Sequence, residues 1–288
     1  MNYYYDKCIV IGTGQFAFNC AEYLRDQYLL DGVYEYGSYT QSRLAALCVK
    51  NGFPYIRLSN KAECNRQMDN VINSGKRTLI VSASNIYLFP KHTTDNANIR
   101  IINYHPALLS RHLGRNVEAW TIYEQDRTAG VTWHEVTDEV DKGAVLAESS
   151  IELNDVITSV RLMLKQYQIG FELFKEMIGS IMADENMQIK MVESYGKMHY
   201  SSERPNDGIL NPEWDADKIS AFLRSMDYGN LQVMDVPFMI ENGRQYTWDS
   251  YKILGADVGG WEHNDSNKIL ERQNVSFILE NFHAVNDV

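Results

Sequence analysis

The segment Lys7–Gly12, KCIVIG, is a short apolar run that stops at glycine and opens into Gly12-Thr13-Gly14-Gln15-Phe16-Ala17. Such a run fits a strand buried on both faces of a parallel sheet, and a parallel neighbour can be reached only through a crossover element. A helix over Gln15 to Leu30, carrying Phe16, Phe18, Cys20, Ala21, Tyr23 and Leu24 and stopped by Gly32, supplies that crossover. The alternation then repeats. Strands are expected at Val33 to Tyr36, Pro54 to Arg57, Thr78 to Ser82 and Ile99 to Asn103, with helices over Ser42 to Lys50, Ala62 to Ile72 and about Val117 to Tyr123. Two more strands, Ala129 to Val136 and Ala144 to Ile151, close the sheet. The pattern predicts an α/β fold with a doubly wound, mostly parallel sheet.

Asn154 or Asp155 can cap a long amphipathic helix with apolar residues at Val156, Val160, Met163, Tyr167, Phe171, Phe174, Ile178 and Ile181. This helix is expected to end a first domain at residue 183. Beyond it, Pro205, Asp207-Gly208, Asn211-Pro212, Gly229 and Asn242-Gly243 break the chain into short pieces. A smaller β-rich C-terminal domain over 184–254 follows, holding one helix at Asp217 to Ser225. Residues 255–288 are expected to be a polar extension with a strand at Val275 to Leu279.

Charge narrows the partners. With 27 Lys+Arg against 38 Asp+Glu the net charge is −11, which repels polyanions, so neither nucleic acid nor an anionic membrane is expected. No apolar run reaches the length of a bilayer span. The start, MNYYYDKCIV, lacks a basic stretch and a long apolar core, so a cytoplasmic location is expected. Cys8, Cys20, Cys48 and Cys64 show no C-x-x-C spacing, which fits reduced thiols and no metal site. The 18 tyrosines leave room for the aromatic interface of a homodimer.

The G-x-G-x-x-A turn and Glu35, about 20 residues further on, have the pattern of a Rossmann-like dinucleotide site. Tight strand-to-helix turns also need glycine for packing alone, and that plainer explanation is preferred here. A sharper signal is Asn103-Tyr104-His105-Pro106-Ala107-Leu108-Leu109, followed by Gly114-Arg115-Asn116, Gly130-Val131-Thr132-Trp133-His134 and Asp141-Lys142-Gly143. Asn103 and His105 lie two apart at the carboxyl end of a strand, so they share one face where such sheets place ligands. Thr132 and His134 alternate in the same way, giving His134 a supporting place. Trp133 then points to the core.

In order and spacing, these four motifs resemble the formyltransferase family that uses N10-formyltetrahydrofolate, over about Cys8 to Val160. The resemblance implies a catalytic trio of Asn103, His105 and Asp141, with the family's separation of 36 residues between the last two. Ser110 stands where members usually carry proline. Ser82 to Pro90 resembles the loop that cradles the folate's pterin ring, implying folate contacts by Ser84, Asn85, Ile86, Tyr87 and Leu88, with Val136, Asp138 and Asp141. The residue types suit the chemistry. A neutral amine attacks the formyl carbon, an oxyanion develops, and a proton leaves nitrogen. Asn103 offers an uncharged donor to the oxyanion, His105 can move the proton, and Asp141 can orient His105.

The acceptor is less constrained. A tRNA acceptor requires a basic C-terminal module, yet Asp207, Glu213, Asp215, Asp217 and Asp227 here face only Lys218 and Arg224. A formyltetrahydrofolate hydrolase of this kind carries a preceding domain, for which the stretch before Cys8 leaves no room. Gly114-Arg115-Asn116 and Arg204-Pro205-x-Asp207-Gly208 resemble segments of the sugar N-formyltransferases. That resemblance implies Arg111, Arg115, Asn116 and Arg204 on the diphosphate of a nucleotide-linked amino sugar. Formylation of an amino acid, hydroxyornithine or a carrier-bound aminoacyl group stays open. A non-catalytic folate or nucleotide binder and a nicotinamide-dependent dehydrogenase also stay open, although the latter leaves the trio unused.

Overall fold

Cys8–Ile11 carry no charged or amide side chain, and β1 (Lys7–Gly12) accordingly lies inside the sheet, paired on both sides. The computed structural model describes residues 3–37, 41–185, 189–231, 233–255 and 266–285. After β1 come α1 (Gly14–Gln27), β2 (Gly32–Tyr36), α2 (Arg43–Asn51), β3 (Tyr55–Leu58), α3 (Lys61–Asn73), β4 (Thr78–Ala83), α4 (Lys91–Thr94) and β5 (Ile99–His105). Short β6 (His112–Gly114) and α5 (Val117–Tyr123) precede β7 (Thr128–Glu135), β8 (Val145–Glu152), the long α6 (Ser159–Met182) and β9 (Lys197–His199). The last part holds α7 (Ala216–Ser225), β10 (Met239–Glu241), β11 (Arg244–Thr247), β12 (Ser250–Gly255), β13 (Lys268–Arg272), β14 (Val275–Glu280) and β15 (His283–Ala284).

The main sheet has the order β3-β2-β1-β4-β5-β7-β8. β1 to β5 are parallel to one another, as the doubly wound pattern requires, and β7 runs antiparallel to β5. Gly12 is fixed by close packing: a Cβ there would lie 1.8 Å from the Ala83 carbonyl oxygen on β4. Ser42 and Asn60 cap α2 and α3 by accepting the backbone N–H groups of Ala45 and Glu63.

The chain divides into two compact units. The first comprises Met1–Gly114, Gly130–Ile151 and Lys165–Met198; the second comprises Arg115–Ala129, Glu152–Leu164 and His199–Val288. The expected boundaries at 183 and 254 do not describe this division. The second unit takes in α5, whose Tyr123 packs with Trp214 and Phe222 in that unit's core. Residue 254 falls inside β12, and β14 pairs with β12 from Ser250↔Glu280 to Gly255↔Val275. Phe277 and Leu279 of β14 and Leu270 of β13 are buried in the same core, so these strands are integral to the second unit and no extension.

Two helix ends also differ from expectation. α1 stops at Gln27, where the Tyr28 N–H still reaches the Leu24 carbonyl, and Gly32 is already in β2 opposite Ile9. α6 begins at Ser159, because Asn154 instead closes a turn by accepting the Val156 and Ile157 N–H groups. The Ser159 hydroxyl and the Val160 N–H then bond the carbonyls of Ser225 and Asp227. Among the described residues no helix is long and apolar enough to cross a membrane. The four cysteines are buried and free of disulfides, and burial pushes the Cys48 and Cys64 thiols up to about 11.

Candidate active site

β5 ends in Asn103-Tyr104-His105, and strand alternation turns Tyr104 away from its two neighbours. Tyr104 packs in the core against Phe16 and Trp133, whose indole N–H donates to the Gly170 carbonyl. The antiparallel register sets Asn103 opposite His134 and His105 opposite Thr132, so all four share one face. Asp141 comes from the turn after β7. Its backbone is left-handed, with φ of 55°, and the turn lies so close on β7 that a Cβ at Gly143 would be 1.7 Å from the Glu135 carbonyl oxygen.

The expected trio is therefore assembled, with His134 beside it. Asp141 Oδ2 accepts the Gly114 N–H at 2.8 Å and lies 3.5 Å from His105 Nδ1, while Oδ1 lies 3.5 Å from His134 Nε2. His105 Nε2 is 2.8 Å from the His112 carbonyl oxygen and so carries a hydrogen donated there. His105 and His134 are only 3% and 2% exposed. Burial lowers the His105 pKa, although Asp141 and the His112 carbonyl work in the opposite sense. Burial alone would raise the Asp141 carboxyl; His105, His134 and the Gly114 N–H outweigh it and hold the group well below the usual carboxylate range. Near neutral pH the arrangement is thus a neutral imidazole between a carbonyl and an ionised carboxylate. The His112 carbonyl orients the ring through Nε2–H, and a proton taken up at His105 Nδ1 would face Asp141, which would stabilise the imidazolium.

The segment Ser84–Leu88 follows β4. Ser84 has φ of 55°, its hydroxyl donates to the Tyr167 hydroxyl at 3.2 Å, and its carbonyl accepts the Thr13 hydroxyl at 2.9 Å. Ile86 and Leu88 are exposed apolar side chains, 42% and 61%. Tyr87 does not join them. It is buried among Ile9, Tyr34 and Ile80 with its hydroxyl donating to Asn65 Oδ1, so its side chain packs in the core. Asn85 turns its amide back onto Ser82 and Tyr87. Val136 packs partly on the same core, and exposed Asp138 pairs with Lys91 at 2.8 Å.

Arg111 is exposed in the first unit; exposed Arg115 and half-buried Asn116, which has φ of 54° ahead of α5, belong to the second. Arg204, also in the second unit, pairs with Asp235 at 3.2 Å and donates from Nε to the Asp207 carbonyl. It borders a cavity of about 690 Å³ with Ser201, Ser202, Asp207 and Val236. A cavity of about 480 Å³ in the first unit is lined by Tyr5, Arg77, Arg100 and Asp184, and the trio lines neither. Among the described residues no group of His, Cys, Asp and Glu is arranged to hold a metal ion. Glu35 is buried and accepts the Ser42 and Tyr55 hydroxyls at 2.5 and 2.6 Å, which uses it within the fold.

Sequence reasoning passed over Ser82, whose hydroxyl donates to Asn103 Oδ1 at 2.7 Å, and the His112 carbonyl. Ser82 had a signal: it is a hydroxyl close to the carboxyl end of the buried strand TLIVSA. A backbone carbonyl has none.

Residues 37–178 match the Formyl transferase family. GDP-perosamine N-formyltransferase of Brucella melitensis biotype 1 is 26% identical over 148 residues, which are 51% of this chain and 56% of that relative. The chain thus spans little more than half the length of that relative. Methionyl-tRNA formyltransferase of Clostridioides difficile is 23% identical over 204 residues, covering 68% of this chain and 65% of the relative. In fold, the chain is similar to an N-formyltransferase of Helicobacter canadensis solved with folinic acid and dTDP-3-aminofucose, at a TM-score of 0.69 and 15% identity over 96% of this chain and 99% of that one. It is also similar to WlaRD, a sugar 3N-formyl transferase solved with dTDP and 5-N-formyl-THF, at a TM-score of 0.67 and 14% identity over 98% of both chains.

Proposed function

We propose that this chain transfers the formyl group of N10-formyltetrahydrofolate to the primary amine of a nucleotide-linked amino sugar. The observation that carries the proposal is the assembly of Asn103, His105 and Asp141 on one face at the carboxyl end of β5, with Asp141 3.5 Å from His105. The match of residues 37–178 to the Formyl transferase family and the resemblance to sugar N-formyltransferases support it.

The folate co-substrate supplies the activated formyl carbon. The loop after β4 fits it: Ile86 and Leu88 present apolar surface that a flat ring would cover, and Ser84 and Asn85 fix the backbone between them. In this proposal Asn103 donates an amide hydrogen to the oxygen as negative charge develops there. His105 accepts the amine's proton at Nδ1, and ionised Asp141 stabilises the imidazolium. Lowering of the His105 pKa by burial keeps it unprotonated, and so able to act as a base, at neutral pH. Within the second unit Arg115, Asn116 and Arg204 are the proposed diphosphate ligands, and Arg204 would exchange Asp235 for phosphate. The net charge of −11 sets a small-molecule acceptor in the cytoplasm above a tRNA.

The test is mass spectrometry of amines incubated with the protein and N10-formyltetrahydrofolate. The panel holds GDP-perosamine, dTDP-3-aminofucose, free amino acids and hydroxyornithine. Gain of one formyl group by a nucleotide sugar is the expected outcome. Formylation of an amino acid alone would move the acceptor class, and no product from any amine would remove the proposal.

A further inference from the structure

We infer that Asn85, Ser82 and His134 form a one-way hydrogen-bond relay that fixes which end of the Asn103 amide faces the reacting oxygen. The inference rests on the formyl-transfer proposal for its consequence, but its geometry stands without it. An asparagine amide can flip by 180°, exchanging a donor for an acceptor of nearly the same shape. Were Asn103 flipped, its carbonyl would meet the developing oxyanion and oppose the reaction.

The direction is imposed from both ends by backbone groups that have no choice. At one end the Tyr87 N–H can only donate, and it gives its hydrogen to Asn85 Oδ1 at 2.9 Å. That fixes Asn85, whose Nδ2 donates to Ser82 Oγ at 3.2 Å and to the Tyr87 carbonyl at 3.0 Å. A serine hydroxyl can act either way; having accepted from Asn85, Ser82 sends its hydrogen on to Asn103 Oδ1 at 2.7 Å. At the other end the Glu135 carbonyl can only accept, and His134 Nδ1 lies 2.8 Å from it. In the neutral ring the hydrogen of His134 is therefore on Nδ1, and Nε2, although Asp141 Oδ1 also lies 3.5 Å from it, accepts from Asn103 Nδ2 at 3.1 Å. One hydrogen of Nδ2 is used in this way, which leaves the second for the substrate oxygen. Ser82 and His134 are 1% and 2% exposed, so water cannot readily replace either partner.

On this account Asn85, expected from the sequence to touch folate, is a positioning residue, and so are Ser82 and His134. The wild-type protein gives the first test, with no substrate present: ¹⁵N NMR of its histidine rings, His134 being assigned by its loss in His134→Gln. The expected result is a hydrogen on Nδ1 of His134; a hydrogen on Nε2 would overturn the relay. The second test uses Ser82→Ala and Asn85→Asp. The aspartate keeps the acceptor for the Tyr87 N–H but takes the Ser82 hydrogen to itself, turning the relay round. Both variants should shift the Asn103 side-chain amide signals, assigned by their loss in Asn103→Asp. Ser82→Ala should lower kcat by roughly 10- to 100-fold with KM values within about twofold, because a donor is displaced and no binding group is removed. His134→Gln, whose amide oxygen can accept from Asn103, should be at least about tenfold more active than His134→Leu. Unmoved amide signals in both Ser82→Ala and Asn85→Asp would refute the inference. Were no amine formylated at all, the NMR measurements would still decide it.

Discussion

Glu118 offers a sharp test of how burial acts in the second unit. It lies on α5, is 7% exposed, and has the Tyr228 hydroxyl 3.5 Å from Oε2. Burial lifts its carboxyl from 4.5 to about 7, against smaller opposing effects of its own backbone N–H, Arg115 and Tyr228. A group whose folded pKa is raised adds stability below the unfolded value, and that stability is lost as pH rises through the folded one. The window here runs from 4.5 to about 7, and at 1.36 kcal/mol per pH unit the whole effect is about 3 kcal/mol. Glu118→Gln keeps the size and the polarity and cannot ionise. The stability of wild type relative to this variant should therefore fall by about 3 kcal/mol between pH 4 and pH 8. In thermal scans that equals roughly 6–12 °C for a domain of this order of size. Urea titrations of both proteins across the range give the difference directly, since the other titrating groups cancel. A difference that stays flat with pH would show that Glu118 is ionised in the folded protein, and the burial argument would fail.

Three more outcomes are expected. Gly12→Ala should destabilise the first unit by about 3 kcal/mol or more, since the new methyl would overlap the Ala83 carbonyl; if Gly12 served only a phosphate, calorimetry would show an unchanged fold. A chain cut after Gly255 should lose the native near-ultraviolet circular dichroism of the second unit, because Leu270, Phe277 and Leu279 leave its core and each such loss costs about 2–5 kcal/mol. A cut chain with the full native spectrum would contradict this. His105→Ala and Asp141→Asn should each reduce kcat by roughly 10²- to 10⁴-fold with far-ultraviolet spectra intact, and near-normal turnover by His105→Ala would take that residue out of the chemistry.

Much of the first unit was legible because its signals are local. KCIVIG and TLIVSA are buried on both faces and read as such, and the step of two between Asn103 and His105 shows directly in a strand. What failed depends on distant partners. Nothing in VEAWTIY tells that this helix joins a core with Phe222 and Trp214, about a hundred residues on. The strands after Leu254 looked like a polar tail because each is short, and their apolar residues count only when β14 pairs with β12 and β13. Glu35, for which plain packing is preferred over its ribose-ligand spacing, has its carboxylate taken by the Ser42 and Tyr55 hydroxyls.

The antiparallel strand explains why the proposed site lies at β5. A parallel sheet brings the carboxyl ends of its strands to one edge, and each strand contributes there only its last residues. β7 arrives at that edge from the opposite direction, so the middle and end of the strand pass beside Asn103 and His105. His134 is thereby set level with Asn103, and the chain needs only the short turn from Val136 to Asp141 to return a carboxylate to both histidines. Gly143 lets that turn lie flat on Glu135, the residue whose carbonyl also holds His134 Nδ1. A substitution that lifts the turn, such as Gly143→Val, would move Asp141 and leave the register of β5 and β7 unchanged. Loss of turnover in that variant with its strands intact would locate the requirement in the turn; full activity would mean that Asp141 need not be held where the structure holds it.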